Sequence, residues 1–259
     1  MIDFHNHILP GVDDGAKTIE EAIEMLKHAM KQGITDVVST VHFQHPKMEH
    51  KNLKYDFLKK KINILQEAIG KNNIKLHLGA EVFYLPNLVN LKKNKLTVFN
   101  HGYYMLIEFY PFHLPPNMFE ILYELKISGT TPIIAHPERN KIVQMNIKII
   151  EKLINAGCLI QADAGSILGH FGKKCKKTVN IMLNRHMIHI IGSDAHNNQK
   201  RNFCLLPAFE EAIEIMGENA KVLVKDNPKK ILKGLEIKPF SIIEENKKNF
   251  YVKFLDFIS

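Results

Sequence analysis

Seven short runs of β-branched and other apolar residues recur along this 259-residue chain, and nearly every one is followed at once by a histidine, an aspartate or a glutamate. The runs are Ile2 to Phe4, Asp36 to Val41, Ile74 to Ala80, Tyr104 to Phe109, Pro132 to Ala135, Cys158 to Ala162 and Met187 to Gly192. Helix-like stretches separate them, and this alternation predicts a parallel sheet or barrel wrapped by helices. In such folds the strand ends aim their last side chains at one rim, so residues far apart in sequence converge on one pocket.

The helical stretches carry their own start and stop signals. Thr18-Ile19-Glu20-Glu21 has capping-box spacing and predicts a helix through about Lys31, stopped by Gly33. Tyr55 to Ile69 repeats apolar residues every third or fourth position. A helix ending near Ser128 follows the Pro115-Pro116 turn, and Asn227-Pro228 opens a last one that ends near Gly234. No repeat or linker breaks the pattern, so residues 1–236 read as one domain. Residues 237–259 mix lysines with Phe240, Phe250, Tyr251, Phe254 and Phe257, and read as an extension that packs on the domain or at a subunit interface.

An apolar share of 45% and a charged share of 24% fit a soluble globular protein. No apolar run reaches the roughly 18 residues of a membrane span, and the chain enters a strand without a basic or apolar leader. Cys158, Cys175 and Cys204 are widely spaced, as in a reducing compartment, so a cytoplasmic location is expected. The net charge of +8 favours acidic partners. The lysine runs Lys59-Lys60-Lys61 and Lys173-Lys174 with Lys176-Lys177 lack interleaved aromatics, so nucleic acid is not an expected partner.

Nine residues form the candidate metal set. His5-x-His7 places two imidazoles on one face of a strand. His42, Glu81, Glu108 and His136 stand at the ends of the second to fifth runs, Asp194 and His196 follow the seventh, and Asp14 lies beyond the first. Imidazole and carboxylate without thiolate suit zinc, iron or manganese in an open site rather than a closed structural zinc. A cysteine phosphatase needs Cys-x5-Arg, and the residues six beyond the three cysteines are Ala164, Ile181 and Glu210, so the phosphocysteine route is excluded.

Taken together these motifs resemble the polymerase-and-histidinol-phosphatase superfamily, and within it the manganese-dependent bacterial protein tyrosine phosphatases of capsule and exopolysaccharide systems. The resemblance rests on Met1-Ile2-Asp3-x-His5-x-His7 through Val12-Asp13-Asp14-Gly15, Ser39-Thr40-x-His42, Gly79-Ala80-Glu81 and Leu106-Ile107-Glu108-Phe109. It continues through Ala135-His136-x-Glu138-Arg139 and Ser193-Asp194-x-His196-Asn197, and runs from Met1 to about Leu232.

What the resemblance implies is an α/β, single-domain, seven-stranded (β/α) barrel of distorted TIM type holding three divalent ions, manganese foremost, with iron or zinc as alternatives. His5, His7, Glu81 and Asp194 would hold one ion, Glu81, Glu108 and His136 a second, and Asp14, His42 and His196 a third. Arg139 and Arg201 would grip the substrate phosphate, and His42 would serve catalysis as well as ligation. The implied reaction is hydrolysis of phosphotyrosine by a metal-activated hydroxide, on the tyrosine-rich tail of a bacterial tyrosine kinase that regulates polysaccharide synthesis. A histidinol-phosphatase-like or other small-molecule phosphomonoesterase is the alternative enzyme, and a catalytically silent metal-binding phosphotyrosine scaffold the alternative of another class. An amidohydrolase-like hydrolase is disfavoured, because no bridging lysine follows a strand. The resemblance gives Asp163 no metal role, leaving it a hydrogen-bonding task, and the loop carrying His45 and Pro46 is expected to border the substrate entrance. Oligomeric state stays open.

Overall fold

The computed structural model describes residues 1–48, 52–70, 74–99, 102–238 and 240–243. Seven strands, β1 (Ile2–Asn6), β2 (Asp36–Phe43), β3 (Lys75–Phe83), β4 (Tyr104–Glu108), β5 (Thr131–Ala135), β6 (Leu159–Asp163) and β7 (Ile190–Gly192), lie side by side in chain order. All six pairings are parallel. The sheet curls until β1 meets the chain just beyond β7. There the His7 amide donates to Ala195 O at 2.8 Å and the Asp194 amide to His5 O at 2.7 Å, nearly closing a barrel.

Helices clothe the outside. The first, α1 (Ile19–Lys31), starts where Thr18 accepts from the Glu21 amide, and the Glu21 carboxylate reaches one residue further back than a capping box requires, to the Lys17 amide. It buries Ala22, Met25, Leu26 and Ala29 on one face, and α2 (Tyr55–Ile69) does the same with Leu58, Ile62, Leu65 and Ile69. The short α3 (Leu88–Leu91), α4 (Met118–Ile127), α5 (Lys141–Met145), α6 (Lys148–Asn155) and α7 (Ala164–Leu168) follow. Then come α8 (Lys173–Asn184), α9 (Leu205–Met216) and α10 (Asn227–Lys233). Among the described residues no helix is long and apolar enough to cross a membrane.

The period of two in the strands splits the core into two layers. Val37, Val82, Met105, Ile107, Ile134 and Ile160 face the helices, while Phe4, Val38, Leu106, Ile133, Leu159 and Ile190 fill the barrel. Phe99 enters this interior and packs on Phe4 with ring centres 4.9 Å apart. Gly79 makes room for it, since a Cβ there would lie 2.2 Å from the Phe99 ring. Ile231 of α10 and Ile237 seal the lower end.

Several strand limits differ from the sequence reading. β1, β2 and β3 continue past the expected ends and take His5, His42 and Glu81 into the sheet, because these polar side chains face a shared buried centre rather than solvent. β7 is shorter and begins at Ile190, the His189 ring being used to accept from the Ile160 amide through Nδ1. Of the C-terminal stretch, Phe240 packs on the His186 ring and the Ile243 amide bonds Arg185 O. Phe250, Tyr251, Phe254 and Phe257 lie outside the described residues.

The fit of Phe99 against Gly79 is open to test. Gly79→Ala is expected to cost about 1–3 kcal/mol by overpacking, read as a lower denaturation midpoint, and Phe99→Leu in the same chain should recover part of that loss. A Gly79→Ala protein that melts with the wild type would show that the barrel interior is packed otherwise.

Candidate metal centre

Strand periodicity alone would send His5 and His7 the wrong way. Ile2 and Phe4 point into the barrel, so His5 would face the helices. A bulge between Asp3 and Asn6 gives β1 one residue more than β2 over the same span and reverses the alternation. The Thr40 hydroxyl fixes it, accepting from the Asn6 amide at 3.2 Å and lying 3.2 Å from Asn6 O. Above the bulge His5 and His7 look inward.

Two other candidates owe their aim to unusual backbone. His136 and Asp194, just past β5 and β7, have φ of 33° and 46°, a left-handed conformation that costs a non-glycine residue energy. In exchange His136 turns back on the barrel and meets Glu81. Gly192 is equally constrained, because a Cβ there would come within 2.7 Å of the His5 Cβ.

The nine candidates converge at the C-terminal end of the barrel. Four lie around one point, His5, His7, Glu81 and Asp194, with one ligand atom of each within 4.8 Å of the others. His7, Asp14, His42 and His196 form a second such group, and His42, Glu81 and Glu108 a third. His136 falls in none of these three groups; its Nε2 stands 2.8 Å from Glu81 Oε1. The grouping thus differs in three respects from the partition drawn from the resemblance: His42 accompanies Glu81 and Glu108, His136 is absent from that group, and His7 joins the Asp14 group. All nine are buried except Asp14, whose side chain is half exposed.

Outer partners hold the rings. His5 Nδ1 is 3.0 Å from Gln161 Oε1, and His7 Nδ1 is 2.8 Å from Asp13 Oδ2, which also accepts from the His42 amide. With Nδ1 engaged, each Nε2 is presented to the centre, the usual support for a ligating histidine. Asp3 braces the closure of the barrel by accepting from the amides of His5 and Ser193. Sequence reasoning missed Gln161, although a buried amide in an apolar run was a signal, and Asp13 was passed over inside its own motif. His45 joins the site as well, its Nε2 3.6 Å from Glu108 Oε1 and its ring against His42 and Phe83.

Electrostatics and hydrogen bonding together test whether cations fit. Among the described residues His5 Nε2, His7 Nε2, His42 Nδ1 and Glu108 Oε1 are buried without a hydrogen-bond partner, a costly arrangement that coordination would relieve. Burial opposes charge on all three imidazoles, yet the carboxylates prevail. Glu81 and Asp194 raise His5 to about 8, Asp13 holds His7 well above its ordinary value, and Asp14 and Glu108 bring His42 to about 10. Glu81 and Asp194 are held well below the usual carboxylate range, His5 outweighing their burial. A buried set of oxygen and nitrogen donors with this much negative charge suits divalent ions.

Both expected arginines stand at the same rim. Arg139 Nη1 donates to Asp194 Oδ2 at 2.5 Å and to Asp163 Oδ2 at 3.1 Å, and its guanidinium lies 4.4 Å over the Phe171 ring. Arg201 Nη2 donates to the same Asp194 oxygen at 2.5 Å. Arg201 Nη2 donates to the Asp194 carbonyl as well, at 3.2 Å, and the remaining guanidinium N–H groups of both arginines meet no protein acceptor among the described residues, which leaves donors for an anion. Asp163 also caps α7 through the Gly165 amide. Beside Glu108, His136 and Arg139 opens a cleft of about 220 Å³ walled in part by Phe109, Pro111, Leu114 and Phe171.

A family profile described as capsular polysaccharide synthesis, CpsB/CapC, matches residues 1–233. CapC of Staphylococcus aureus is 38% identical over 235 residues, covering 86% of this chain and 91% of that one. The tyrosine-protein phosphatase YwqE of Bacillus subtilis is 34% identical over 241 residues, 92% of this chain and 93% of its own. Among solved structures, one from work on YwqE and on CpsB of Streptococcus pneumoniae, described as unique metal-dependent tyrosine phosphatases, superposes with a TM-score of 0.86. That match has 28% identity and covers 95% of this chain and 100% of the other.

Because His5, His7 and His42 hold protons at neutral pH when no cation is present, a divalent ion must expel them. Uptake of manganese by the chelated protein is therefore expected to release protons and to tighten as pH rises through about 8 and on to about 10, where His5 and then His42 give up their protons. Calorimetry in buffers of different ionisation enthalpy reads this directly. Heats independent of the buffer would remove the imidazoles from the binding site.

Proposed function

The chain belongs to the capsular polysaccharide synthesis CpsB/CapC family, and from that premise we propose that it is a metal-dependent phosphatase of phosphotyrosine in protein. Its substrate is a tyrosine-phosphorylated segment of a bacterial kinase that governs polysaccharide export, and its place of action the cytoplasm. The observation that carries the reading is the convergence of nine imidazole and carboxylate side chains beside two arginines and an apolar-walled cleft.

His5, His7, Asp14, His42, Glu81, Glu108, His136, Asp194 and His196 would hold three divalent ions, manganese first among them. When bound, such ions polarise phosphoryl oxygens and lower the pKa of water. The rest falls to the chain's own groups. Arg139 and Arg201 present paired donors that match phosphate oxygens and the charge that spreads over them in phosphoryl transfer. Arg139 is pre-set, since Asp163 and Phe171 fix it before any substrate arrives. The cleft beside it takes a flat aromatic group, and the tyrosine phenolate, with a free pKa of about 10, leaves more readily than an alkoxide.

A thiol route finds no support. The thiols of Cys158 and Cys175 are pushed up to about 12 by burial, and burial pushes Cys204 up as well. None is a thiolate at neutral pH.

Turnover of a phosphotyrosine peptide is expected to exceed that of histidinol phosphate, to vanish on chelation and to return with manganese. His136→Ala should lower that turnover by a hundredfold or more, about the loss seen when one electrostatic partner is removed, while circular dichroism shows the fold retained. Preference for histidinol phosphate would assign the site to a small-molecule phosphatase. Tight binding of the peptide without phosphate release would make the protein a silent scaffold, and full activity in His136→Ala would strip that residue of its role.

A further inference from the structure

At the end of the barrel opposite the candidate centre, lysine dominates two adjoining clefts. Lys59, Lys75, Lys92, Lys93 and Lys95 line the first, of about 750 Å³, and Lys225, Lys229 and Lys233 with Lys75 line the second, of about 520 Å³. Lys75, His77 and Leu232 belong to both, so the two form one continuous face. Among the described residues only two acids line it, Asp36 and Asp226, and Asp36 is already engaged by His77 at 2.9 Å. Among the described residues none of these lysines makes an ion pair. Lys92 alone has a side-chain partner, the carbonyl of Ser128 at 2.7 Å. Eight lysines against two aspartates make this face strongly basic.

The kind of anion follows from the kind of cation. No arginine lines either cleft, so the planar paired donors that read a single phosphate are missing. What remains is a field of flexible, strongly hydrated point charges, suited to a surface carrying many spread charges. Two exposed apolar side chains accompany them. Tyr103 and Leu235 are about half exposed, and they are fixed at this end, for Tyr103 directly precedes β4 and the Tyr104 hydroxyl bonds Leu235 O at 2.6 Å. Basic residues flanked by an aromatic and an aliphatic side chain match the chemistry of a lipid headgroup layer.

We propose that this lower face docks the protein on a bilayer of anionic phospholipid. Orientation agrees with it: Lys75 opens β3 and Glu81 stands six residues further along the same strand, roughly 20 Å away at the rise of a strand. A protein seated on its lower face turns the candidate centre away from the lipid, open to a polypeptide in solution. The proposal is independent of which phosphate ester is hydrolysed.

Vesicle flotation of the full chain tests it, with mixed phosphatidylglycerol and phosphatidylcholine against phosphatidylcholine alone, at low and at molar salt. The protein is expected on the anionic vesicles only, and to be released by molar salt. Lys75→Glu, Lys93→Glu and Lys229→Glu combined should lower the partition by about a hundredfold or more and leave phosphotyrosine-peptide turnover unchanged. A second variant of the same net charge, Lys173→Glu, Lys174→Glu and Lys177→Glu at the N-terminal end of α8, should retain most of the binding. Failure to float with anionic vesicles overturns the proposal, as does an equal loss in both variants. So does tighter binding to a duplex oligonucleotide than to vesicles at the same salt, which would assign the face to nucleic acid.

Discussion

The buried carboxylate of Glu81 is the interaction on which the rest is arranged. One of its oxygens lies 3.2 Å from His5, 3.4 Å from His7 and 3.2 Å from His42, and the other 2.8 Å from His136. A buried charge is tolerated only when opposite charge or a cation compensates it. Four imidazoles from the ends of β1, β2 and β5 are therefore drawn to a carboxylate on β3, and the same attraction that makes a binding site pulls the top of the barrel together. Without a cation the site depends on imidazolium protons for balance; if it takes cations as proposed, the same donors would exchange protons for metal. Fold and chemistry share one set of atoms.

Regular strands do not by themselves serve both purposes. Lower in β1 the chain must give Ile2 and Phe4 to the barrel interior, and higher up it must give His5 and His7 to the centre. The bulge reconciles the two demands at the cost of an irregular ladder. His136 and Asp194 pay in backbone conformation instead, of the order of 1–3 kcal/mol each. Such strain persists because the neighbourhood over-determines it: the Asp194 amide is held by His5 O and the His136 amide by Gln161 O. At β1, His136 and Asp194 the irregular backbone coincides with ligand candidates leaving the strand pattern.

This explains what the sequence disclosed and what it concealed. The seven apolar runs were legible because each strand buries two faces, and the polar residues closing them were legible because few other reasons place charge beside such a run. Thr18 announced α1 through its hydroxyl, but Glu21 turned out to serve the Lys17 amide. The bulge was hidden, since Ile2 to His7 has no glycine or other local mark to distinguish it from a regular strand. Grouping of the candidates was hidden too. His7 reaches both Glu81 and the Asp14 set because its ring sits between β3 and the loop after β1, a matter of register and closure that spacing along the chain does not encode. Gln161 escaped because its role is to orient another side chain, which leaves no motif.

Asp194 joins the two halves of the site. Its Oδ1 faces the imidazoles, 3.4 Å from His5 and 3.3 Å from His7, while its Oδ2 takes both guanidinium groups at 2.5 Å. The two arginines are not equally bound by it. Arg139 would keep Asp163 and the face of Phe171 if Asp194 were shared with a cation, whereas among the described residues Arg201 has its side chain on Asp194 alone. If the cluster takes cations as proposed, drawing the negative charge of Asp194 toward it would loosen Arg201 more than Arg139, and a phosphate at the rim would meet one fixed guanidinium and one free to adjust. On the proposed reading, ion loading and anion capture would be coupled through the two oxygens of this single carboxylate.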